Sequence, residues 1–179
     1  MSKIYQLLEK FEGIINEPWP KGLSGQEKVW FLIFDPMDLR KMKLKLGEFE
    51  IAAKNANKEW HEISLKTKFS KWLANHEYRE AFFEDPKYLA DSLQYDFREY
   101  LEETILAELK INNKENTLVV LKDVSSIFGV IRLSEIVNFL SNHINGRLMI
   151  LFPGEFINNQ YRLMDARDGW DYLARPIMI

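Results

Sequence analysis

The sequence contains no cysteine. That absence excludes a disulfide framework, a thiol nucleophile, and any zinc or iron–sulfur centre held by cysteine. Long apolar runs are also missing, because the two strongest, Val29–Phe34 and Leu148–Phe152, are far shorter than the roughly 20 residues of a membrane span. Met1–Lys10 is amphipathic and lacks the apolar core of a signal peptide. The sequence therefore predicts a soluble, cytoplasmic protein without a membrane segment.

The motifs of common nucleotide-binding and hydrolytic enzymes are absent as well. No G-x-x-x-x-G-K-[ST] or G-x-G-x-x-G occurs, which argues against a P-loop and a Rossmann dinucleotide site. There is no G-x-S-x-G, and His61-Glu62 lacks the second histidine of a zincin because residue 65 is leucine. The net charge, 24 − 27 = −3, supplies no global basic field. We therefore expect no cofactor and no tight direct binding to duplex nucleic acid.

Apolar residues make up 46% of the chain, which is enough for a large core and excludes overall disorder. Three short segments are apolar on both faces and end at turn residues, as buried parallel strands do: Val29–Phe34, Thr117–Leu121 and Arg147–Phe152. The Trp60–Leu65 segment alternates and is less apolar, which predicts a strand near a sheet edge. Two further short strands are predicted at Tyr161–Met164 and Leu173–Ile177.

Apolar residues at helical spacing mark most of the remaining chain. Helices are predicted at residues 1–16, Met37–Lys58, Phe69–Leu109 with a break at Asp85-Pro86, and Ser134–Ile144. A Pro/Gly loop is predicted at residues 17–26, and the last helix is expected to have Ser134 as its N-cap and Gly146 at C′. Strands alternating with helices predict one domain over residues 1–179, with a three-layer α/β fold, a mostly parallel central sheet flanked by helices, and no P-loop.

Charge is unevenly distributed along the chain. The Met37–Lys71 segment carries nine basic and five acidic residues, whereas Glu77–Thr104 carries three basic and nine acidic. The simpler interpretation is two solvated helical faces. The functional alternative is a pair of docking surfaces of opposite sign, which would steer a charged partner.

Three acids follow predicted strands directly: Asp35, Asp123 and Glu155. Ligands of open α/β sheets bind outside the carboxyl ends of the strands, so these carboxylates could converge there. Carboxylate oxygens suit Mg²⁺, which would support phosphoester chemistry. The simpler interpretation is that each acid caps a helix or closes a turn.

The densest polar cluster is the C-terminal block, residues 161–179. Two arginines, three aspartates, a tryptophan and two tyrosines fall within Tyr161–Leu173. Arginine and aspartate side chains can pair bidentately and fix an irregular segment, which would make the block a structural clasp. Arginine and aromatic residues are also the usual anchors of protein interfaces, which would make it a recognition surface.

The same region resembles the BrxB family of BREX bacteriophage-exclusion systems. The similarity rests on the strand Leu148–Phe152, the Phe-Pro-Gly-Glu turn at 152–155, the Tyr-Arg-Leu-x-Asp-Ala-Arg-Asp-Gly-Trp run at 161–170, Tyr172-Leu173 and Pro176-Ile177. It is specific over about Thr117–Ile177 and loose before Asn116. The signature positions it assigns, without a known task, are Pro153, Gly154, Glu155, Arg162, Asp165, Arg167, Asp168 and Trp170.

The resemblance implies a cytoplasmic component of an antiviral defence system. Such systems place BrxB beside a PglZ protein of the alkaline-phosphatase-like class, a large AAA-type ATPase and a DNA methyltransferase. The family has no established catalytic motif, so the resemblance implies a non-catalytic adaptor docked on PglZ, with the ATPase as a further partner. The alternatives are an Mg²⁺-dependent phosphoester enzyme that uses Asp35, Asp123 and Glu155, and a degenerate nucleotide-sensing fold.

Overall fold

A computed structural model describes residues 2–163 and 174–179, together with the backbone of residues 166–167. The strands are β1 Val29–Phe34, β2 Glu59–Ser64, β3 Thr117–Lys122, β4 Arg147–Pro153, β5 Glu155–Ile157, β6 Gln160–Leu163, β7 Ala166–Arg167 and β8 Arg175–Ile177. The helices are α1 Lys3–Ile15, α2 Leu39–Asn55, α3 Lys68–Asn75, α4 Arg79–Glu84, α5 Lys87–Ser92, α6 Arg98–Leu109 and α7 Leu133–His143. In this part of the chain no helix is long and apolar enough to cross a membrane.

The central sheet has five strands in the order β2-β3-β4-β1-β8, and every pair in it is parallel. The three segments predicted as buried strands, now β1, β3 and β4, occupy its middle, as their apolar residues on both faces require. The less apolar β2 lies at one edge, where it was expected, and the short β8 at the other. The predicted parallel sheet is confirmed.

Helices cover both faces of this sheet, which confirms the three-layer architecture. Because side chains alternate along a strand, Trp30 and Leu32 of β1 pack under α1 and α2, whereas Phe31 and Ile33 face the core beneath α3–α7. We call these two sides the α1/α2 face and the α3–α7 face. Each has its own apolar core, and the sheet separates the two.

In the middle of the chain an apolar residue recurs every four positions, and one regular helix does not carry this repeat: Leu89, Leu93, Phe97, Leu101, Ile105 and Leu109. Its last members, Phe97, Leu101, Ile105 and Leu109, are buried, while the turn Leu93–Phe97 is π-helical. A repeat of four exceeds the ~3.6 residues of an α-helical turn, so it would drift around a straight helix. A wider π turn takes up part of that drift and keeps the stripe on the core.

The predicted caps of α7 are wrong. The helix begins at Leu133 with Arg132 as N-cap, and its C-cap is Ile144. Gly146 is instead required by close packing, because a Cβ there would lie 2.0 Å from the carbonyl oxygen of Thr117 in β3. The sequence pattern predicted the helix but not its end residues. At Gly146 the reason is that the close approach of β3 to β4 cannot be recognised from the neighbouring sequence.

The chain after β4 forms a second, antiparallel sheet in the order β5-β6-β7. The strand predicted at Tyr161–Met164 is β6, in this small sheet, and the strand predicted at Leu173–Ile177 is the shorter β8, in the main sheet. The small sheet lies on the α3–α7 face, because Tyr161 and Leu163 belong to the core there.

Candidate functional site

A crevice lies at the carboxyl ends of β1 and β4, which are neighbours in the sheet. From β1 the chain passes into α2 on one face, whereas from β4 it passes into β6 on the other. Such a reversal is where open α/β sheets bind ligands. The crevice encloses about 600 Å³ and is lined by Asp35 and Glu155, which the sequence placed at strand ends, together with apolar side chains of α1 and β5.

The three acids predicted as a metal site are not brought together. Among the described residues no group of three or more histidine, aspartate or glutamate side chains could hold a metal ion. The Asp35 carboxylate accepts the backbone N–H of Met37 at 2.9 Å and caps the short 3₁₀ turn after β1. For Asp35 the simpler interpretation, a capping acid, therefore agrees with the structure.

Asp123 has a local role at the end of β3. Its carboxylate accepts bonds of 2.7 Å from Lys43 Nζ and from Ser64 Oγ. Burial by itself would raise the pKa of Asp123, but the bonds from Lys43 and Ser64 outweigh it and hold that pKa below its ordinary value. Its φ of 61° lies in the left-handed region, which aspartate tolerates better than most residues.

Four of the family-signature positions meet where β4 passes into the small sheet. Pro153 ends β4 beside Phe34, and Glu155 lies opposite Arg162 in the β5–β6 register. Gly154 donates its N–H to Phe34 O at 3.0 Å, and a Cβ on it would lie 2.2 Å from the carbonyl oxygen of Arg162. Of these positions, Gly154 and Glu155 line the crevice.

The rest of the C-terminal block is only partly described. The backbone of Arg167 forms β7 with Ala166, while Asp165, Asp168 and Trp170 lie outside the described residues. The Nε of Arg162 is buried and has no hydrogen-bond acceptor in the described part of the chain. The two interpretations of this block, a structural clasp and a recognition surface, therefore both stay predictions.

Tyr161 is an anchor that the sequence reasoning passed over. Its ring stacks on Phe31 with centroids 4.1 Å apart, and its hydroxyl donates to Ala174 O at 2.9 Å. Burial raises the pKa of its phenol above the usual range. Tyr161 therefore links the small sheet, β1 and the approach to β8. The sequence feature that could have identified Tyr161 as a core residue is its alternation with Leu163 in a short strand.

Helices α4 to α6 carry an exposed surface, here called the acidic aromatic face and defined as residues 77–104. Four aromatic side chains on it are 61–73% exposed: Tyr78, Phe83, Tyr88 and Tyr95. Exposed apolar patches are typical of protein interaction surfaces, which makes this segment a candidate for one.

The acidic charge of this face is largely uncompensated. Of its three basic residues, Arg79 pairs with Glu80, and Arg98 pairs with Glu102 and with Glu135 of α7. Five exposed acids have no ion pair with another described residue: Glu77, Glu84, Asp91, Glu99 and Glu103. The face therefore carries a net negative charge.

On the opposite side, the basic charge of α2 is mostly neutralised within the chain. Lys41 pairs with Asp38 and Lys43 with Asp123, each at 2.7–2.8 Å. Two further pairs lie within the helix, Lys45–Glu48 and Lys54–Glu50. Within α2 most of the basic charge is therefore paired, whereas the acidic segment keeps several exposed carboxylates without a pair among the described residues.

The fold and these surfaces define a three-layer α/β protein built on an all-parallel sheet, with a turn-lined crevice at one end and an acidic, aromatic helical face. This chain belongs to the BrxB family: the family model described as "BREX protein BrxB" matches residues 61–177. The match runs from β2 to β8 and includes the Phe-Pro-Gly-Glu turn. It confirms the resemblance, extends it upstream of Thr117, and links the chain to a BREX phage-defence system. No curated protein and no solved structure matches the chain.

Proposed function

We propose that this chain is a non-catalytic adaptor of a BREX assembly, and that it docks on the PglZ-type, alkaline-phosphatase-like protein of the same system through its acidic aromatic face. Membership of the BrxB family supports a place in such an assembly. The observation that carries the docking proposal is the set of four exposed aromatic side chains among acids that lack counterions in the described chain.

The chemistry of the face indicates the chemistry of its partner. Carboxylates attract a basic surface over several ångströms and increase the rate of encounter. Tyrosine and phenylalanine rings stack on guanidinium groups, which also pair with carboxylates. The proposed contact surface on the PglZ-type protein is therefore rich in arginine, and the AAA-type ATPase is a second protein against which the same surface can be tested.

Co-purification and titration with the PglZ-type protein test this proposal. We expect Phe83→Ala to weaken binding by about 30-fold in Kd, equivalent to about 2 kcal/mol for an aromatic anchor. Its melting temperature should be nearly unchanged, because Phe83 is 68% exposed. Leu44→Ala is the matched control, since Leu44 is 76% exposed but lies on α2, and it should leave binding unchanged.

Three outcomes separate the parts of the proposal. If the wild-type chain does not bind the PglZ-type protein, the choice of that partner is wrong. If it binds and Phe83→Ala and Tyr95→Ala bind equally well, the acidic aromatic face is not the interface. Loss of binding in Leu44→Ala would place the interface on the α1/α2 face instead.

A further inference from the structure

A second pocket lies at the opposite end of the sheet from the crevice, where the strands begin. It encloses about 310 Å³ between the loop after α1 and the residues that precede or start β2, β3 and β4. Four basic residues line it, against one acid: Lys21, Lys28, Lys58 and Arg147, with Glu115. Because Lys21 and Glu115 pair with each other while both are exposed, the interior of the pocket keeps the charge of the other three.

Arg147 is the most buried of these cations, with 5% of its surface exposed. Its guanidinium donates to the carbonyl oxygens of Gly146 and Pro20, each at 3.0 Å, and lies 5.1 Å from the centre of the Trp19 ring. No carboxylate in the described ranges pairs with it. Carbonyl dipoles satisfy hydrogen bonds but leave the full positive charge without a counterion, which is costly in a buried position.

Lys58 adds a second positive charge beside the same indole. Its Nζ lies 4.1 Å from the centre of the Trp19 ring and forms no hydrogen bond or ion pair with the described residues. Burial and the charge of Arg147 both lower the pKa of Lys58, which shows that the two cations repel each other. Trp19 Nε1 is a further buried donor without an acceptor in the described part.

The pocket thus gathers donors and positive charge that its own residues do not balance. Lys28 Nζ donates to Ile144 O at 3.1 Å, so among the described residues it too has a carbonyl but no carboxylate as partner. A compact oxyanion supplies both missing elements, negative charge and several acceptor atoms, and arginine with lysine is the usual protein complement of a phosphoryl group. A volume near the lower end of the ~300–1,000 Å³ of small-molecule pockets suits a small ligand.

We propose that the Arg147/Lys58 pocket binds a small phosphoryl anion, held between the Arg147 guanidinium and the Lys58 ammonium. The site is separate from the acidic aromatic face and does not depend on the adaptor function. Arg147 also fixes the Pro20 loop to the start of β4, so an occupied pocket couples that loop to the sheet.

Isothermal titration and thermal unfolding with inorganic phosphate and pyrophosphate test the proposal, with sodium chloride holding the ionic strength constant. We expect saturable heat and a saturable rise in melting temperature. Lys58→Met should weaken binding at least tenfold, while the ligand-free melting temperature stays equal or rises because repulsion of Arg147 is relieved. Lys54→Met is the matched control: it removes the same charge from an exposed α2 position whose partner is Glu50, and it should bind as wild type does.

A second measurement needs no variant. Phosphate should protect the Lys58 amine from acetylation by acetic anhydride, relative to Lys54, as read by peptide mass spectrometry. Unprotected Lys58, or no saturable effect beyond sodium chloride, would overturn the site. Equal loss of binding in Lys58→Met and Lys54→Met would also overturn it, since general charge attraction would then explain the result.

Discussion

At the scale of single residues, Gly154 has no room for a side chain. A Cβ there would lie 2.2 Å from the carbonyl oxygen of Arg162 and 2.6 Å from a ring carbon of Phe152. We expect Gly154→Ala to lower the free energy of unfolding by about 3 kcal/mol, as overpacking against backbone does. Denaturant unfolding measures this change.

Gly47→Ala is the control for that substitution. Gly47 lies within α2 and has nothing within 4 Å of its Cβ position. Alanine there should raise the free energy of unfolding by roughly 0.5–1 kcal/mol, because glycine is a poor helix former. If both variants change stability in the same direction and by the same amount, the contact with Arg162 does not explain why glycine is present at position 154.

Tyr161 gives a prediction about its hydroxyl. Tyr161→Phe keeps the stacking on Phe31 but leaves the buried carbonyl of Ala174 without its donor. The expected loss is about 1–2 kcal/mol in the free energy of unfolding. Tyr5→Phe is the control, since Tyr5 is exposed and its hydroxyl accepts a hydrogen bond from Lys45 Nζ at the surface, and it should change stability little.

The same phenol predicts a pH dependence. Burial raises the pKa of Tyr161 in the folded state, whereas the unfolded chain ionises near pH ~10. Above that pH the unfolded state binds fewer protons than the folded state, so the free energy of unfolding falls as pH rises. This fall should be shallower in Tyr161→Phe than in wild type. Equal slopes between pH 9 and 11 would contradict the assignment.

At the scale of elements, the strands that are buried on both faces could be predicted from the sequence. Features that depend on contact with a backbone segment far away in the sequence could not be predicted as well. Apolarity on both faces identified β1, β3 and β4, because a central strand of a parallel sheet has no solvated side. The π turn before α6 and the role of Gly146 depend on contacts with other elements, so no local rule reveals them. The ends of the strands were predicted, and with them the positions of Asp35 and Asp123 at strand ends. The order of the strands in the sheet was not predicted.

A further prediction at this scale concerns substitutions in the C-terminal block. We expect Asp165→Ala to remove the carboxylate partner of an arginine and to lower the free energy of unfolding by roughly 3 kcal/mol, as breaking a buried pair does. As a second contact beside the acidic aromatic face, the block is also predicted to bind the PglZ-type protein, so Trp170→Ala or Arg167→Ala should weaken that binding while the melting temperature stays nearly constant. Thermal unfolding and co-purification on the same variants separate the two. If every substitution only lowers the melting temperature, the block is a structural clasp.

At the scale of the whole molecule, the described surfaces are arranged around one sheet. The crevice lies at the carboxyl ends of its strands, the Arg147/Lys58 pocket at their amino ends, and the acidic aromatic face on the helices of one side. The sequence supplied the charge asymmetry of that face in advance. It did not reveal that Lys43 of α2 is neutralised by Asp123, because these two residues lie 80 positions apart in the sequence.

The strand order has a consequence for synthesis. Strand β1 emerges from the ribosome well before its two neighbours, β4 and β8, which are encoded more than a hundred residues later. A nascent chain that has not reached Arg147 holds an apolar strand with neither edge paired, which is a hazard for aggregation. During translation, α1 and α2 or a chaperone must cover this strand. The sheet is complete only after Arg175–Ile177 have been synthesised.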